Sequence, residues 1–308
     1  MTPEPATTVV VVTWRGAGHL TACLDALAAQ NRPHRTLVVD NASDDGTAAL
    51  LAAHPSAPSV LRLPRNLGYA GAMAAALRRV ETPFMAWLND DAEPAPDWLA
   101  TLEDALDAAP LAAAATSRLR LADGSTQSAG VRLTADGHGA DLAEPASEVF
   151  GFCGGAALLR TGPLHTVGGI PSSFFCYYED TDTAWRLRLA GWDVVPVPTA
   201  TVRHRHGAST RPGSPLFHRW NERNRLFTLL RCAPGDVALR QLARFALLTA
   251  ILPLRPGKPD APNFRFGLRV RVLAEVVAGL PATLFARRKI TRRSALGRGA
   301  VWEAWAGH

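Results

Sequence analysis

A chain of 308 residues with 47% hydrophobic and 19% charged residues can bury a sizeable core, which excludes a disordered or fibrous protein and leaves one large domain or a main domain with an appendage. The net charge of +6 conceals a division: residues 201–308 hold 20 Lys+Arg against 5 Asp+Glu, or +15, leaving 13 and 22, or −9, for residues 1–200. The basic third calls for an anionic partner such as a membrane surface or a phosphorylated substrate; no nucleic-acid-binding motif accompanies it, which argues against nucleic acid.

Residues 7–14 are β-branched without alternation, which predicts a strand buried on both faces of a parallel sheet. Gly16 and Gly18 end it, and Leu20, Cys23, Leu24 and Leu27 form the apolar stripe of a helix over 19–29. A second strand at 36–40, a loop at 41–47 and a helix at 48–53 repeat the unit, predicting a doubly wound α/β sheet. A third strand at 60–63 leads through Arg65-Asn66-Leu67-Gly68-Tyr69-Ala70-Gly71 into an alanine-rich helix ending near Val80. No G-x-G-x-x-G follows the first strand, so a dinucleotide fingerprint is missing.

Residues 84–88 are apolar and of strand length, and they end in Asn89-Asp90-Asp91 before Pro94 and Pro96 forbid continuation. At the carboxyl end of a strand, Asn89 and Asp91 would project on one face towards a ligand crevice. Such a pair suits Mg²⁺ or Mn²⁺; a solvated turn is the plainer alternative. Asp40 ends its own strand on the same side, where it can accept from the sugar or base of a nucleotide.

A helix over 97–109 follows, then strands at 112–115 and 118–121 with a turn at Asp123-Gly124, and an aperiodic loop over 137–149. Gly154-Gly155 either lets the backbone approach something closely or marks a bulged strand. Glu179, Asp180 and Asp182 open a helix that stops at Gly191. The helix dipole accounts for one acid, and three imply that one faces a reaction as general base. A short strand at 194–197 precedes His204 and His206.

Helices follow from 217 to 254, then a Pro/Gly-rich linker at 253–262, a helix at 266–286 and a basic tail at 287–293, which is either a solvated end or a membrane contact. Cys23, Cys153, Cys176 and Cys232 show no C-x-x-C pair, as expected of reduced thiols in a cytoplasmic protein. No signal peptide is expected, and the apolar segment 245–254 falls short of the ~20 residues of a spanning helix.

Six motifs in order carry a resemblance: Val38-Val39-Asp40-Asn41-Ala42-Ser43-Asp44-Asp45-Gly46-Thr47, Arg65 to Gly71, Leu88-Asn89-Asp90-Asp91-Ala92, the run from Tyr178 to Trp192, His204-Arg205-His206-Gly207-Ala208-Ser209, and Arg223-Asn224-Arg225-Leu226-Phe227. Over residues 9–230 the chain resembles the family 2 inverting glycosyltransferases, particularly the rhamnosyltransferase and galactofuranosyltransferase group that builds bacterial surface polysaccharides. The resemblance implies a GT-A fold, a Rossmann-like and mostly parallel sheet with flanking helices, in residues 1–212, with a basic helical extension in 213–308. It also implies a divalent cation, a nucleoside-diphosphate sugar donor and a glycan or polyprenyl-linked acceptor at the inner face of the membrane.

Carried over by motif, Asp91 with Asn89 and His204 would hold the cation, and Asp180, beside Glu179, would be the catalytic base. Asp40 would contact the nucleotide base, with Thr13, Asn66, Gly68, Asp90, Trp185, Arg223 and Asn224 as further substrate contacts. The chain departs from the pattern at Trp14-Arg15, where the family usually has Tyr-Asn, and at Ala74 or Ala75, where an Asn is usual. His206 and His204 can exchange roles. The alternatives are a non-catalytic nucleotide-sugar-binding module and a nucleotidyltransferase.

Overall fold

The computed structural model describes residues 4–205, 213–255, 257 and 259–307. Thr7–Thr13 (β1) is buried at every position, as a strand covered on both faces must be. Leu20–Ala28 (α1), Arg35–Asp40 (β2), Thr47–Ala53 (α2), Ser59–Arg62 (β3), Gly68–Leu77 (α3) and Phe84–Asn89 (β4) follow in regular alternation. Strands β3, β2, β1 and β4 are all parallel and lie in that order, so their carboxyl ends share one rim of the sheet.

The second half is mixed. Ala92–Pro94 (β5), Trp98–Ala108 (α4), Ala112–Arg120 (β6), Thr126–Ser128 (β7), Val131–Leu133 (β8), Gly139–Asp141 (β9), Ala156–Arg160 (β10), Thr161–Thr166 (α5), Glu179–Leu189 (α6) and Asp193–His204 (β11) complete the α/β part. Beyond β4 the sheet continues β10, β6, β11, β5. β10 runs antiparallel to both neighbours, whereas β6 and β11 are parallel. The reversed β10 places its start, rather than its end, beside the carboxyl end of β4.

Several expectations change. The strands expected at 112–115 and 118–121 are one strand, because Thr116 and Ser117 are buried and bonded: Cys153 N–H donates to Thr116 Oγ1 (3.2 Å) and Trp98 Nε1–H to Ser117 Oγ (2.8 Å). Part of the expected loop at 137–149 is β9, paired with β8. The short strand at 194–197 extends to His204, with an irregular register between Val197 and Thr201.

Four helices end the chain: Pro215–Cys232 (α7), Gly235–Ile251 (α8), Phe266–Arg293 (α9) and Arg298–Trp305 (α10). The expected basic tail at 287–293 is therefore the last two turns of α9. These helices share an apolar cluster with the α/β part, where Leu226, Leu229, Val272, Val276 and Val301 pack with Leu133, Phe150, Trp185 and Leu189. Gly235–Leu254 is long and apolar enough to cross a membrane by length and composition, more than the run at 245–254 suggests, and about 28% of it is buried.

Candidate active site

The triplet after β4 lies where the sheet's parallel strands end. Because β5 pairs with β11 in a register that sets His204 opposite Ala92, the imidazole meets the triplet's last acid: His204 Nε2 lies 2.9 Å from Asp91 Oδ1 and 3.1 Å from Asn89 Nδ2. His204 Nδ1 is 2.6 Å from Gln127 Oε1, an acceptor, so Nδ1 donates there, while Nε2 can donate to Asp91 when it carries a proton or offer its lone pair to a cation when it does not. A lone pair and a carboxylate oxygen at 2.9 Å repel unless a proton or a cation stands between them. Burial alone would raise the Asp91 carboxyl, but His204 outweighs it and holds its pKa below the ordinary carboxylate value.

This donor set fits a hard divalent cation, since two ligands at about 2.1 Å and a right angle sit about 3 Å apart. Among the described residues no group of three or more His, Cys, Asp and Glu gathers at one point, so a cation here would take its remaining ligands from water and a diphosphate. His206 lies outside the described residues.

Asp180 reaches the same place through two glycines. Gly154 N–H donates to Asp180 Oδ2 (3.0 Å), and a Cβ on Gly154 would come within 3.2 Å of that oxygen. Next to it, Gly155 C=O accepts from Asn89 N–H (3.0 Å), and a Cβ on Gly155 would meet the Asn89 side-chain amide at 3.5 Å. One dipeptide thus lies between Asp180 and Asn89, and both glycines serve close approach rather than a bulge, Gly154 to the Asp180 carboxylate and Gly155 to Leu119, which a Cβ would meet at 2.8 Å. Asp180 Oδ1 accepts from the backbone N–H (2.6 Å) and hydroxyl (3.1 Å) of Thr181. Burial outweighs these donors and raises its pKa, which suits a carboxylate that must take a proton.

The turn before Asp180 is strained and clamped. Phe175, Tyr177 and Tyr178 have φ of +67°, +70° and +69°, left-handed values that cost non-glycine residues about 1–3 kcal/mol each. The Asn224 amide on α7 donates to the carbonyls of Phe174 (3.0 Å), Cys176 (2.8 Å) and Tyr177 (2.8 Å), and Arg223 donates to Phe174 C=O (2.6 Å). From the other side Ala70 N–H donates to Phe175 C=O (3.0 Å). Gly68 (φ +71°) has to be glycine, because a Cβ would stand 2.2 Å from that carbonyl oxygen.

The remaining expected residues divide. Thr13, Asp40 and Asp90 line the rim where β1, β2 and β4 end. Thr13 Oγ1 is buried without a partner, Asp90 Oδ2 lies 3.1 Å from His19 Nε2, and Asp40 accepts from Ser43 N–H (2.8 Å) beside Arg62 (3.1 Å). The Asp90 carboxylate beside it raises the His19 pKa despite burial. An open hollow of about 340 Å³ lined by Ala42, Arg62, Leu63 and Pro64 adjoins Asp40. Asn66 spends its Oδ1 on Asn41 Nδ2 (3.0 Å) and Gly68 N–H (2.7 Å).

Trp185 stands apart from the site: its ring is fully buried between Phe150 and Trp302, because α6 turns that face into the C-terminal core. Asn224 and Arg223 reach the backbone of the 174–177 turn. Glu179 is buried with Oε2 unpartnered, and burial raises its pKa well above the ordinary value, which favours the neutral acid. Asp182 pairs with Arg186 (2.7 Å) and Arg231 (3.2 Å) inside the core, so of the three acids that open α6 it is Asp180 that meets the glycines. Gln127, His19 and Tyr69, whose hydroxyl donates to Gly154 C=O (2.8 Å), join the site without a preceding sequence signal beyond Tyr69's place in a glycine-rich motif.

Comparison with known proteins places the family and the fold. Residues 8–168 match the model of glycosyl transferase family 2. The N-acetylglucosaminyl-diphospho-decaprenol L-rhamnosyltransferase of Mycobacterium tuberculosis is 31% identical over 245 residues, covering 68% of this chain and 79% of that protein. In fold, the chain is similar to the mannosyltransferase PcManGT of Pyrobaculum calidifontis, solved with GDP-Man and Mn²⁺ (TM-score 0.54, 21% identity, 98% of this chain and 80% of that one). It is also similar to residues 1–349 of S. aureus TarS, solved with UDP-GlcNAc (TM-score 0.58, 19%, 97% and 90%), and to GalNAc-T7 with UDP, GalNAc and Mn²⁺ (TM-score 0.63, 12%, 92% and 58%). With a family match over half its length and a relative 31% identical over 68% of the chain, this chain belongs to glycosyl transferase family 2 and is a glycosyltransferase.

Proposed function

We propose that the protein transfers a sugar, rhamnose foremost, from a nucleoside-diphosphate donor to a hydroxyl of a polyprenyl-diphosphate-linked glycan at a membrane surface, with inversion at the anomeric carbon. The meeting of Asp180 and Asn89 on either side of Gly154-Gly155 carries the reading. Rhamnose and the lipid-linked acceptor rest on the name of the M. tuberculosis relative.

In this reading Asp40 and Asp90 orient the nucleotide, and Thr13 Oγ1 offers it a buried hydroxyl. Asp91 and His204, with Asn89, would hold a divalent cation, which would supply stabilisation of charge on the departing diphosphate. Asp180 accepts the proton of the acceptor hydroxyl as its oxygen bonds to the anomeric carbon, and the bond to the diphosphate breaks with its electron pair leaving on oxygen. A base with a raised pKa is stronger, and such assistance contributes roughly 10²–10⁴-fold. Attack from the face opposite the leaving group in a single displacement inverts the anomeric centre.

The test incubates purified protein and Mn²⁺ with nucleoside-diphosphate sugars, rhamnose among them, and a polyprenyl-diphosphate-linked N-acetylglucosamine. Free nucleoside diphosphate with a glycosylated acceptor of inverted anomeric configuration is expected. Release of pyrophosphate would assign a nucleotidyltransferase, and donor binding without turnover a non-catalytic module.

A further inference from the structure

Thirteen large hydrophobic residues are exposed among the described ones, and only Val60 and Leu111 precede residue 213. On α8, Leu239, Leu247, Ile251 and, just past its end, Leu254 recur at intervals of eight, four and three, which keeps them on one face. On α9, Phe266, Val270, Val277 and Leu284 likewise share a side, with Phe285 beside them. No exposed position of α9 between 274 and 285 is charged, and the turns that follow expose Arg288, Lys289, Arg292 and Arg293. An apolar face running into a cationic end is the pattern of a helix that lies in the headgroup layer of an anionic bilayer.

We infer that the outer face of α8 and α9 rests on an anionic lipid surface, with its apolar side chains in the headgroup boundary and the 288–293 cations against lipid phosphates. The inference rests on the lipid-linked acceptor proposed above for its purpose, and on the face itself for its chemistry. Spanning is disfavoured because Phe245 and Thr249 of α8 are buried and Arg269 donates to Thr249 Oγ1 (3.0 Å), while Asp236, Arg240 and Arg244 punctuate the helix. The opposite side of α9 touches the clamp of the site: Glu275 pairs with Arg219 (2.5 Å) and Arg223 (3.6 Å) of α7, next to the Asn224 that holds the Asp180 turn.

Co-sedimentation of the full chain with equimolar phosphatidylglycerol and phosphatidylcholine vesicles tests this, with neither donor nor acceptor present, so failure of the transfer reading would leave its outcomes unchanged. The wild type is expected to bind at low salt and to prefer these vesicles to pure phosphatidylcholine. Val277→Glu/Leu284→Glu, and separately Arg288→Glu/Lys289→Glu, should each lower partitioning about tenfold or more while keeping the wild-type melting temperature. Wild-type protein left in the supernatant, or a Val277→Glu/Leu284→Glu variant that binds as the wild type does, overturns the inference. So does a dimer that the same variant dissociates in light scattering, or vesicle-bound protein that resists alkaline carbonate.

Discussion

The two acidic corners of the site are built in different ways. The Asn89, Asp90 and Asp91 corner stands on the ends of neighbouring strands and needs one long-range pairing, β5 with β11, to bring in His204. The Asp180 corner stands on a turn of three left-handed residues that keeps its shape through Asn224 and Arg223, more than forty positions along the chain. A site resting on sheet ends is rigid by default, whereas one resting on a clamped turn is only as well placed as its clamp. The second corner is therefore where placement and chemistry can be separated by mutation.

Asp180→Asn tests that contrast most strongly. It removes the proton acceptor while keeping the shape, so kcat is expected to fall by roughly 10²–10⁴-fold with donor affinity almost unchanged in calorimetry. Turnover at the wild-type rate would remove Asp180 from the mechanism. At the other corner, Asp91→Asn should abolish the Mn²⁺-dependent part of nucleoside-diphosphate binding and lower kcat by about 10²-fold or more. If a chelator leaves wild-type donor binding intact, the cation assignment at Asp91 and His204 fails.

Asn224→Ala comes next in size. The half-buried Cys176 and Tyr177 carbonyls lose their Asn224 donor while Phe174 C=O keeps Arg223, which costs about 1–3 kcal/mol of stability and loosens the turn. A fall in kcat of about tenfold or more is expected with donor binding preserved, measured after the folded fraction is confirmed by circular dichroism. Equal losses in donor affinity and kcat would return Asn224 to the role of a substrate contact.

Glu179→Gln should have the smallest effect and the opposite sign in stability. Burial lifts the Glu179 pKa well above its ordinary value of 4.5, so the folded state keeps a proton that the unfolded state has lost once the pH passes that value. Between the two pKa values the unfolded chain binds fewer protons, and stability falls as pH rises. Glutamine cannot ionise in either state, so the variant should gain on the wild type as the pH rises above 4.5, a change read from urea midpoints along a pH series. A constant difference across that range would mean that Glu179 ionises as readily in the folded protein as in the unfolded chain.

Much of this was legible in the residues. The unalternating Val9 to Val12 run, the stripe from Leu20 to Leu27 and the apolar stretch that stops at Asn89 determined the parallel half of the sheet and placed the triplet on its ligand rim, because burial on two faces and proline punctuation act over a few neighbours. The same local rules found three acids at the start of α6. They did not rank them, since exposure depends on what packs against the helix: Asp182 turned inward to Arg186 and Arg231, Glu179 into the interior with Oε2 unpartnered, and Asp180 towards Gly154.

Only the tertiary structure decided what Trp185, Asn224 and the glycine pair do. Trp185 stands in a motif full of site residues yet faces the C-terminal core, which comes from helices more than thirty positions later. Gly154-Gly155 becomes a bridge between Asp180 and Asn89 because β10 runs antiparallel and brings its start to the end of β4, a register that sequence periodicity does not encode. Periodicity reports which face of an element is buried; pairing direction and the identity of the burying partner are set by contacts between distant segments, and the site is assembled from those contacts.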